Sequence, residues 1–574
     1  MKFAELAKYL QKLEGTAGRN DMTVILAEMF AKCDPEEARL IAYMTQGKLG
    51  PAYKSPDFGV ADKSMLKALG PEAKIIFDKV GDLGLVIEKL KSQMTNDKSN
   101  SNIKIQEVYK KLWEIAETKG TGSQEIKQKL IADLISDLDP VGAKYAVKMI
   151  LGKLRTGFSD MTVLDSLSWM LVGSKKLKSQ IENMYNVRAD LGEIAQLVKN
   201  SKTQKLKNSN IGPEIGTPVL MARAERAKTP QDIWERNGEC ALEYKLDGLR
   251  IQAHIKKFEI RNSKFEIKLF SRGLEDVTHM YPDICEGLQK QIKHECIVEG
   301  EMIALDKNGK FLSFQETVVR KRKYDIGDMA KKVPLSIYLF DVLMIDGKNV
   351  MRETNEERRN ILESITPLNS IVKIMPRTIA NSTKDIEMFF EIAIRDGTEG
   401  IIAKKLDGEY AAGARDFSWI KYKESYDQST MADTLDVVVM GYDEGQGKRS
   451  KFGIGDFLAG VYDPVSEKYF TVAKVGTGLT DIEWKEMKLK CQMSNIKSKP
   501  ENYNIQNQMK CDYWVEPKIV VELLADEITK SPMHTSGYAL RFPRLVSWRE
   551  KLPTDVTSTK ELEKMFKLQK TGGD

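Results

Sequence analysis

The chain has 574 residues, of which 41% are hydrophobic and 30% charged, a composition typical of a globular protein with about three or four domains. It contains no apolar run of the roughly 18 residues that a membrane-spanning helix needs, and charges interrupt the N-terminal apolar residues where a signal peptide would have its core, so we expect a cytoplasmic protein without membrane attachment. The six cysteines are scattered with no C-x-x-C pair, which indicates neither a zinc site nor a disulfide framework.

The net charge of +6 is distributed unevenly along the chain. Residues 1–210 hold 33 Lys and Arg against 26 Asp and Glu, whereas residues 211–574 hold 56 against 57. A basic first third beside a neutral remainder favours a polyanionic partner. A solvated, lysine-rich helical surface explains the same excess equally well.

Residues 1–210 are predicted to form an all-α domain. Ile103–Thr118, Ser123–Leu138 and Asp165–Leu171 carry apolar residues three and four positions apart, with few β-branched clusters between them. The polar stretch Lys202–Ser209 has no periodicity and is predicted to be a linker.

Residues 211–428 have a different pattern, which predicts an α+β domain of antiparallel sheets. The runs are short, rich in β-forming residues and separated by turns or helical segments. Examples are Cys240–Tyr244, Ile251–Ile255, Ile297–Leu305, Leu335–Leu343 and Gly400–Ala403.

The stretch Glu243-Tyr-Lys-Leu-Asp-Gly-Leu-Arg250 places a lysine between two acids at the end of one such run. Residues two apart share a face of a strand, so Glu243, Lys245 and Asp247 are expected to project into one pocket, with Gly248 letting the backbone bend beneath them. Lys245 is therefore the candidate nucleophile. The alternative interpretation of this stretch is a surface strand with alternating charges.

Further charged and aromatic residues follow on or beside the predicted strands. Arg250 and Arg272 are planar cations suited to a phosphate or a ribose edge. Glu299 and Glu301 alternate on one strand and are suited to a ribose or a divalent metal ion. Phe340 is a candidate for stacking on a base, although a Phe in an apolar strand is more often part of a core.

A second group of candidates lies nearer the end of this domain. Glu399 stands directly before a buried-looking strand, where a carboxylate is placed to partner a metal ion or an ammonium group. Arg415 precedes Trp419-Ile-Lys-Tyr-Lys423, in which Lys421 and Lys423 share a strand face. Two lysines with the same direction repel each other unless an anion lies between them, and a phosphate is the natural anion.

Residues 429–574 are predicted to form a small β-barrel with a C-terminal helix. Leu435–Tyr442, Phe457–Asp463, Tyr469–Val475 and Ile519–Leu524 are strand-like, with little helix expected before about Ser558. This pattern is typical of a five-stranded barrel of OB type, which binds nucleic acid on a strand face.

The ordered motifs Glu-x-Lys-x-Asp-Gly-x-Arg, Ser-Arg-Gly, Glu-Gly-Glu, Leu-Phe-Asp, Thr-Glu-Gly and Trp-x-Lys-x-Lys resemble those of the lysine nucleotidyltransferases. The resemblance is greatest to the ATP-dependent DNA ligases of archaeal and eukaryotic replicative type, and it covers nearly the whole chain. Residues 212–223 resemble the first segment of the ligase adenylation domain, and the N-terminal helices resemble the family's DNA-binding domain. Each motif alone is weak, but six in the same order are specific.

The resemblance implies an ATP-dependent DNA ligase that seals nicks in duplex DNA during replication, repair and recombination. It implies three domains: a DNA-binding domain (1–210), an adenylation domain (211–428) and an OB-fold domain (429–574), with hinges near residues 202–210 and 426–433. Lys245 would carry AMP from ATP. The residues implied to hold the nucleotide are Glu243, Arg250, Arg272, Glu301, Phe340, Glu399, Arg415, Lys421, Lys423, Arg541 and Arg544.

The implied metal is Mg²⁺, with Mn²⁺ as an alternative, held by Glu301 and Glu399. Arg541 and Arg544 belong to a stretch that resembles the family's closing motif, but the sequence departs from that pattern after Arg549, where Glu550-Lys551 stands for a longer motif. A monomer associated with the nucleoid, and a sliding clamp as a partner, are further implications. The sequence contains no convincing motif for binding a sliding clamp.

Three other functions share part of this pattern. An RNA-capping guanylyltransferase has the Lys-x-Asp-Gly site but no obvious role for 200 helical residues before it. An NAD-dependent ligase would be expected to show a cysteine cluster of zinc-binding type. A catalytically silent nucleic-acid-binding scaffold would not need the complete set of site residues.

Overall fold

The computed structural model describes residues 1–16, 18–93, 102–154, 158–201, 211–227, 229–257, 265–306, 309–312, 314–321, 325–367, 371–423, 434–445, 452–496, 498–549 and 551–571. The chain divides into two compact units, Met1–Lys423 and Glu424–Asp574, and each is described by itself. The two stretches predicted to be hinges, 202–210 and 426–433, lie outside the described residues.

The N-terminal part of the first unit is helical, as predicted. Its helices are α1 (Phe3–Glu14), α2 (Arg19–Lys32), α3 (Pro35–Met44), α4 (Asp62–Leu69), α5 (Pro71–Val80), α6 (Leu83–Gln93), α7 (Ile105–Glu117), α8 (Ser123–Asp137), α9 (Pro140–Ile150), α10 (Asp160–Val172), α11 (Lys178–Val187) and α12 (Leu191–Asn200). One apolar cluster, from Phe3 to Val198, forms the core between them.

Local sequence explains how these helices begin. In α3, the Asp34 side chain accepts a hydrogen bond from the backbone N–H of Glu37 at 2.8 Å, and Pro35 occupies the first turn, where its missing N–H has no cost. The apolar face then turns inward: Ile41 is completely buried. Helical spacing and capping therefore made this region predictable from sequence.

The remainder of the first unit mixes strands and helices. Its strands are β1 (Arg223–Arg226), β2 (Cys240–Lys245), β3 (Leu249–Lys257), β4 (Phe265–Ser271), β5 (Cys296–Ala304), β6 (Leu335–Ile345), β7 (Lys348–Asn349), β8 (Val372–Ile374), β9 (Arg377–Ala380), β10 (Gly400–Lys405) and β11 (Arg415–Lys423). Its helices are α13 (Pro230–Asn237), α14 (Pro282–Gln291), α15 (Phe314–Val318), α16 (Ile326–Lys332), α17 (Asn355–Ile365) and α18 (Thr383–Arg395).

These strands form two sheets. The first has the order β1-β11-β10-β2-β9, and the second has the order β4-β3-β5-β6-β7 with β8 beside β6. The pairings are antiparallel, as predicted, except β1 with β11 and β6 with β8, which are parallel. The turn after Lys245 connects the first sheet to the second, so the candidate nucleophile lies where the chain passes between them.

Residues 211–222 form a segment, here called the strap, between the helices and the second sheet. On the helical side, the backbone N–H of Leu220 donates to the Asn186 carbonyl at 2.7 Å, and that of Ala189 donates to the Pro218 carbonyl at 3.0 Å. Arg188 Nε donates to the Gly212 carbonyl at 3.0 Å. These bonds fix the strap against the corner between α11 and α12.

The second unit is rich in sheet. Its strands are β12 (Leu435–Asp443), β13 (Asp456–Asp463), β14 (Lys468–Val475), β15 (Asn495–Ile496), β16 (Tyr503–Asn504), β17 (Tyr513–Val515), β18 (Val520–Leu524), β19 (Glu527–Lys530), β20 (Tyr538–Arg541) and β21 (Arg544–Arg549). Among the described residues, β19 pairs with β20, and the others form one eight-stranded sheet. The unit also contains the helix α19 (Asp481–Met493) and, near the C-terminus, the helix α20 (Thr559–Thr571).

The expectation of little helix before Ser558 is wrong, because α19 has 13 residues. The Thr480 side chain accepts a hydrogen bond from the backbone N–H of Glu483 and caps its start. Trp484, Met487 and Cys491 lie at helical spacing and are buried. Their spacing is the signal from which this helix could have been predicted.

Across the described ranges, each helix is too short or too polar to cross a lipid bilayer.

Candidate active site

The ends of three neighbouring strands bring Lys245, Gly400 and Lys423 side by side. Gly400 on β10 is opposite Lys245 on β2 and opposite Lys423 on β11. Gly400 has φ 144°, and a Cβ there would lie 2.1 Å from the Tyr422 carbonyl oxygen, so only glycine fits. Glycine at this central position lets the backbone of β10 approach that of β11 closely.

Glu399 joins the two lysines. One carboxylate oxygen accepts a hydrogen bond from Lys245 Nζ and the other accepts one from Lys423 Nζ. The backbone N–H of Glu399 also donates to the Lys245 carbonyl at 2.9 Å. Glu399 thus holds the two lysine side chains together, and the positive charges of Lys423 and Lys421 both act on Lys245.

The pKa of Lys245 is lowered to about 7, first by burial and then by the positive charge of Lys423. The carboxylates of Glu301 and Asp247 oppose this effect without cancelling it. The lowered pKa increases the fraction of Lys245 that is unprotonated at neutral pH, compared with an ordinary lysine with a pKa of ~10.4. This direction of shift favours Lys245 as a nucleophile.

Glu301 lies on β5 opposite Arg250 on β3. Burial raises the pKa of Glu301 to about 7, while Lys245 and Arg250 act in the opposite direction. A Cβ on Gly248 would lie 2.3 Å from the Met302 carbonyl oxygen and 3.0 Å from Cγ of Glu301. Gly248 is therefore needed for the close approach of the turn to β5.

Arg250 is held on two sides. Its Nη1 donates to the Ala222 carbonyl at 2.7 Å and its Nη2 donates to a Glu299 carboxylate oxygen at 2.7 Å. Its guanidinium lies 5.3 Å from the centre of the Phe340 ring and 5.4 Å from that of Trp419. These contacts place a fixed cation and two rings together.

The two rings have a buried ion pair beside them. Phe340 and Trp419 meet edge to face, with their centres 5.9 Å apart. Lys404 Nζ lies 4.8 Å from the first ring and 4.3 Å from the second. It also contacts the Glu243 carboxylate at 2.7 Å. Glu243 is thus placed within the protein interior, 3% exposed.

Neither Lys404 nor a role for Trp419 was predicted from the sequence. Lys404 follows Ile401-Ile402-Ala403 in a strand, and a lysine within a buried strand needs a partner. A charged residue in an otherwise apolar strand was therefore the sequence signal for the ion pair between Lys404 and Glu243. Trp419 was visible in its motif, but its packing on Arg250 depends on two strands that are far apart in sequence.

The other candidates in the first unit are arranged less closely. Arg272 is exposed after β4, and its charge acts on Glu301. Lys421 is paired in register with Arg226 of β1 and with Ile402 of β10. Arg415 begins β11, but its side chain lies outside the described part of the structure.

Arg541 and Arg544 lie on strands of the second unit, and each has an acidic partner. Arg541 Nη1 is 3.2 Å from Glu527, and Arg544 Nη2 is 2.5 Å from Asp526. Arg549 and Lys551 share one carboxylate, that of Asp436, at 3.0 and 2.5 Å. Glu550 lies outside the described residues.

Comparisons with known proteins agree along the chain. Residues 2–168 match the family model described as DNA ligase N terminus, residues 221–423 match ATP dependent DNA ligase domain, and residues 450–552 match ATP dependent DNA ligase C terminal region.

Two curated relatives are similar over almost their full lengths. A probable DNA ligase of Dictyoglomus turgidum is 41% identical over 588 residues, covering 99% of this chain and 98% of that protein. A DNA ligase of Sulfolobus acidocaldarius is 37% identical over 599 residues, with the same coverage. A solved structure titled Pmar-Lig_PreS3 has a similar fold, with a TM-score of 0.55 at 17% identity, covering 95% of this chain and 99% of that one.

Proposed function

The chain belongs to the ATP-dependent DNA ligases, and we propose that Lys245 is the nucleophile that takes AMP from ATP and passes it to a nicked DNA strand. The observation that carries this proposal is the amine of Lys245, with its pKa near 7, beside a cationic cluster. A lysine nucleophile must be unprotonated, and its anionic substrate must be held close to it.

In the first step the Lys245 nitrogen attacks the α-phosphorus of ATP. An N–P bond forms, the P–O bond to pyrophosphate breaks, and the nitrogen of the unprotonated amine releases one proton to water. Lys423 and Lys421 stabilise the charge that develops on the phosphate oxygens, because fixed cations in a partly buried site need little reorganisation. The product is a phosphoramidate between Lys245 and AMP.

The next two steps return the amine and seal the strand. The 5′-phosphate at a nick attacks the phosphorus of lysyl-AMP, which transfers AMP to the DNA. The 3′-hydroxyl then attacks the 5′-phosphate and releases AMP. A single nucleophilic side chain serves the reaction, so the other residues contribute by orientation and electrostatics.

The base and ribose of the nucleotide are proposed to lie against Phe340, Trp419 and Arg250, where two rings and a fixed cation meet. Glu243 supports this site through Lys404, which lies against both rings. Arg272 and Arg415 belong to the proposed set by resemblance to the family. Arg541 and Arg544 are proposed to orient the pyrophosphate.

Glu301 and Glu399 are proposed to hold a divalent cation, Mg²⁺ or Mn²⁺. The described residues contain no group of three or more His, Cys, Asp or Glu side chains suited to a metal ion. Mg²⁺ commonly uses one or two carboxylates together with substrate phosphates and water, and the raised pKa of Glu301 indicates a carboxylate that a nearby cation would stabilise. The ion would supply neutralisation of phosphate charge.

The proposed domains are residues 1–210 for DNA binding, 211–428 for adenylation and 429–574 for an OB-type barrel. The antiparallel pairings of β12, β13, β14, β18 and β21 support the barrel. A nick has duplex on both sides, so backbone contacts spread over several domains suit its recognition. Action as a monomer at the nucleoid, and a sliding clamp as partner, rest on the family alone.

Intact mass measurement tests the proposal. The protein is incubated with Mg²⁺ and ATP, GTP or NAD in turn, and we expect an AMP adduct from ATP that is absent from Lys245→Ala. A GMP adduct would indicate a capping enzyme, and the absence of any adduct would contradict the proposed chemistry. Sealing of a nicked duplex with a labelled 5′-phosphate then tests the DNA steps.

A further inference from the structure

Strand β3 has a row of polar residues on a buried face. Arg250, Gln252 and His254 alternate with the apolar Ile251 and Ala253, which lie in the core of the second sheet. Gln252 is completely buried and His254 is 1% exposed. Buried polar side chains are costly unless they are hydrogen-bonded, so this row needs a structural or functional explanation.

The Gln252 amide has four partners. Its Oε1 accepts from the backbone N–H of Val219 at 2.8 Å and contacts His254 Nε2 at 2.9 Å. Its Nε2 donates to the Val219 carbonyl at 3.1 Å and to a Glu299 oxygen at 3.0 Å. A reversed amide would place donors against donors and acceptors against acceptors, so one orientation is selected.

His254 fixes the same arrangement from the other side. Its Nδ1 accepts a hydrogen bond from the backbone N–H of Gly216 at 3.0 Å, which leaves the proton on Nε2, where it is donated to Gln252. Burial lowers the pKa of His254 to about 3, and Lys268 adds to this effect. The imidazole is therefore neutral, and its tautomer is set by the strap.

Both anchors of Arg250 depend on this network. One anchor is Glu299, whose second oxygen accepts from Gln252. The other anchor is the carbonyl of Ala222. Ala222 lies three residues after Val219, whose backbone N–H and carbonyl are both hydrogen-bonded to Gln252. Gln252 thus holds the carboxylate directly and the carbonyl through the strap.

We propose that Gln252 is a positioning residue for ATP, which clamps the strap to β3 and so fixes the Arg250 guanidinium beside the Phe340 and Trp419 rings. This inference rests on the proposed function, because it assigns Arg250 to the nucleotide. Gln252 itself does not touch the substrate. Its loss removes the hydrogen bonds that Gln252 makes to the Glu299 carboxylate and to the Val219 backbone, so the guanidinium is held less firmly in one orientation when ATP binds.

The test is a double-mutant cycle on the full-length protein. Gln252→Met keeps the length of the side chain and removes its hydrogen bonds. We expect the ATP concentration for half-maximal adduct formation to rise about 10-fold, the effect of losing roughly one hydrogen-bonded anchor, while the rate at saturating ATP changes less. In an Arg250→Lys background the same substitution should change that concentration less than about 2-fold, because the oriented guanidinium is already absent.

Ile255→Val is the matched control, since it disturbs the same strand in the apolar core and should leave the ATP dependence unchanged. If Gln252→Met does not fold, Gln252→Asn, which keeps the amide but shortens its reach, serves in both backgrounds. An equal effect of the Gln252 substitution in both backgrounds, or no effect in either, would overturn the proposal. Failure of the proposed function is distinct, since the wild-type protein would then form no AMP adduct.

Discussion

The ion pairs in the two sheets of the first unit differ in their partners and in their burial. In the first sheet, Lys245 and Lys423 share one carboxylate, and their side chains are 20% and 14% exposed. In the second sheet, Arg250 has its own carboxylate, Glu299, whose side chain is completely buried and also bonded to Gln252. The first arrangement joins two lysines at a partly exposed site, whereas the second joins one guanidinium to a completely buried carboxylate.

This difference indicates that the lysines of the first sheet serve mainly the reaction and that the ion pair of the second sheet also serves the stability of the fold. A lysine that is largely buried and lies near a second lysine has a lowered pKa and is suited to act as a nucleophile. A buried guanidinium with a fixed carboxylate gains orientation but is strongly destabilised if its partner is removed. Substitutions in the first sheet should therefore affect the reaction, and equivalent substitutions in the second should affect stability as well.

The largest effect is expected for Lys245→Ala. Removing the amine removes the atom that bonds to phosphorus, so AMP adduct formation should fall below detection in intact mass measurements. Lys245→Arg is the matched control for charge, because a guanidinium stays protonated and should be equally inactive. An AMP adduct on either variant would show that another residue is the nucleophile.

Glu299→Ala should have the largest effect on stability. It leaves the Arg250 guanidinium buried without a carboxylate, which costs about 3–5 kcal/mol in the free energy of unfolding. Chemical denaturation of the full-length protein measures this loss. Glu399→Gln, whose carboxylate is 22% exposed, should cost less than Glu299→Ala, and equal losses for the two variants would remove the distinction between the sheets.

Glu399→Gln should instead slow the first chemical step. Its carboxylate orients both lysines and is a proposed metal ligand, so the single-turnover rate of adduct formation should fall about 10²- to 10³-fold, as for other fixed electrostatic groups. Asp396→Asn is the control: Asp396 accepts from the Tyr244 hydroxyl at 2.6 Å and should retain a rate within a few-fold of wild type. An unchanged rate for Glu399→Gln would contradict its placement in the reaction.

The smallest effect is a pH dependence. The reactive form of Lys245 is unprotonated, and its pKa is lowered to about 7. The rate of adduct formation should therefore rise as the pH increases through about 7 and level off above it. The apparent midpoint belongs to Lys245 and Glu301 together, since the two groups interact. A rate that continues to rise toward pH 10 would indicate an ordinary lysine.

Several site residues could be predicted from sequence because they lie at the ends of recognisable strands. Strand alternation and the adjacent glycine were enough to select Lys245, Glu399 and Lys423 as candidates, and the structure brings these three together. The pairing of Glu299 with Arg250 was not predicted. The two glutamates of Glu-Gly-Glu are equivalent in sequence, because strand alternation predicts that both lie on the same face of one strand. Only the residues packed around β5 make Glu299 the buried partner of Arg250 and distinguish it from Glu301.

The sequence by itself determined the order of helical, mixed and sheet-rich regions, because periodicity and capping act over a few residues. It also determined the family, through motifs that stand in a characteristic order. Tertiary structure decided which charged side chains pair with each other and how deeply each pair is buried. That decision depends on strands separated by more than a hundred residues, such as β2 and β10, and on burial, which alters the pKa of Lys245 in a way that no local pattern specifies.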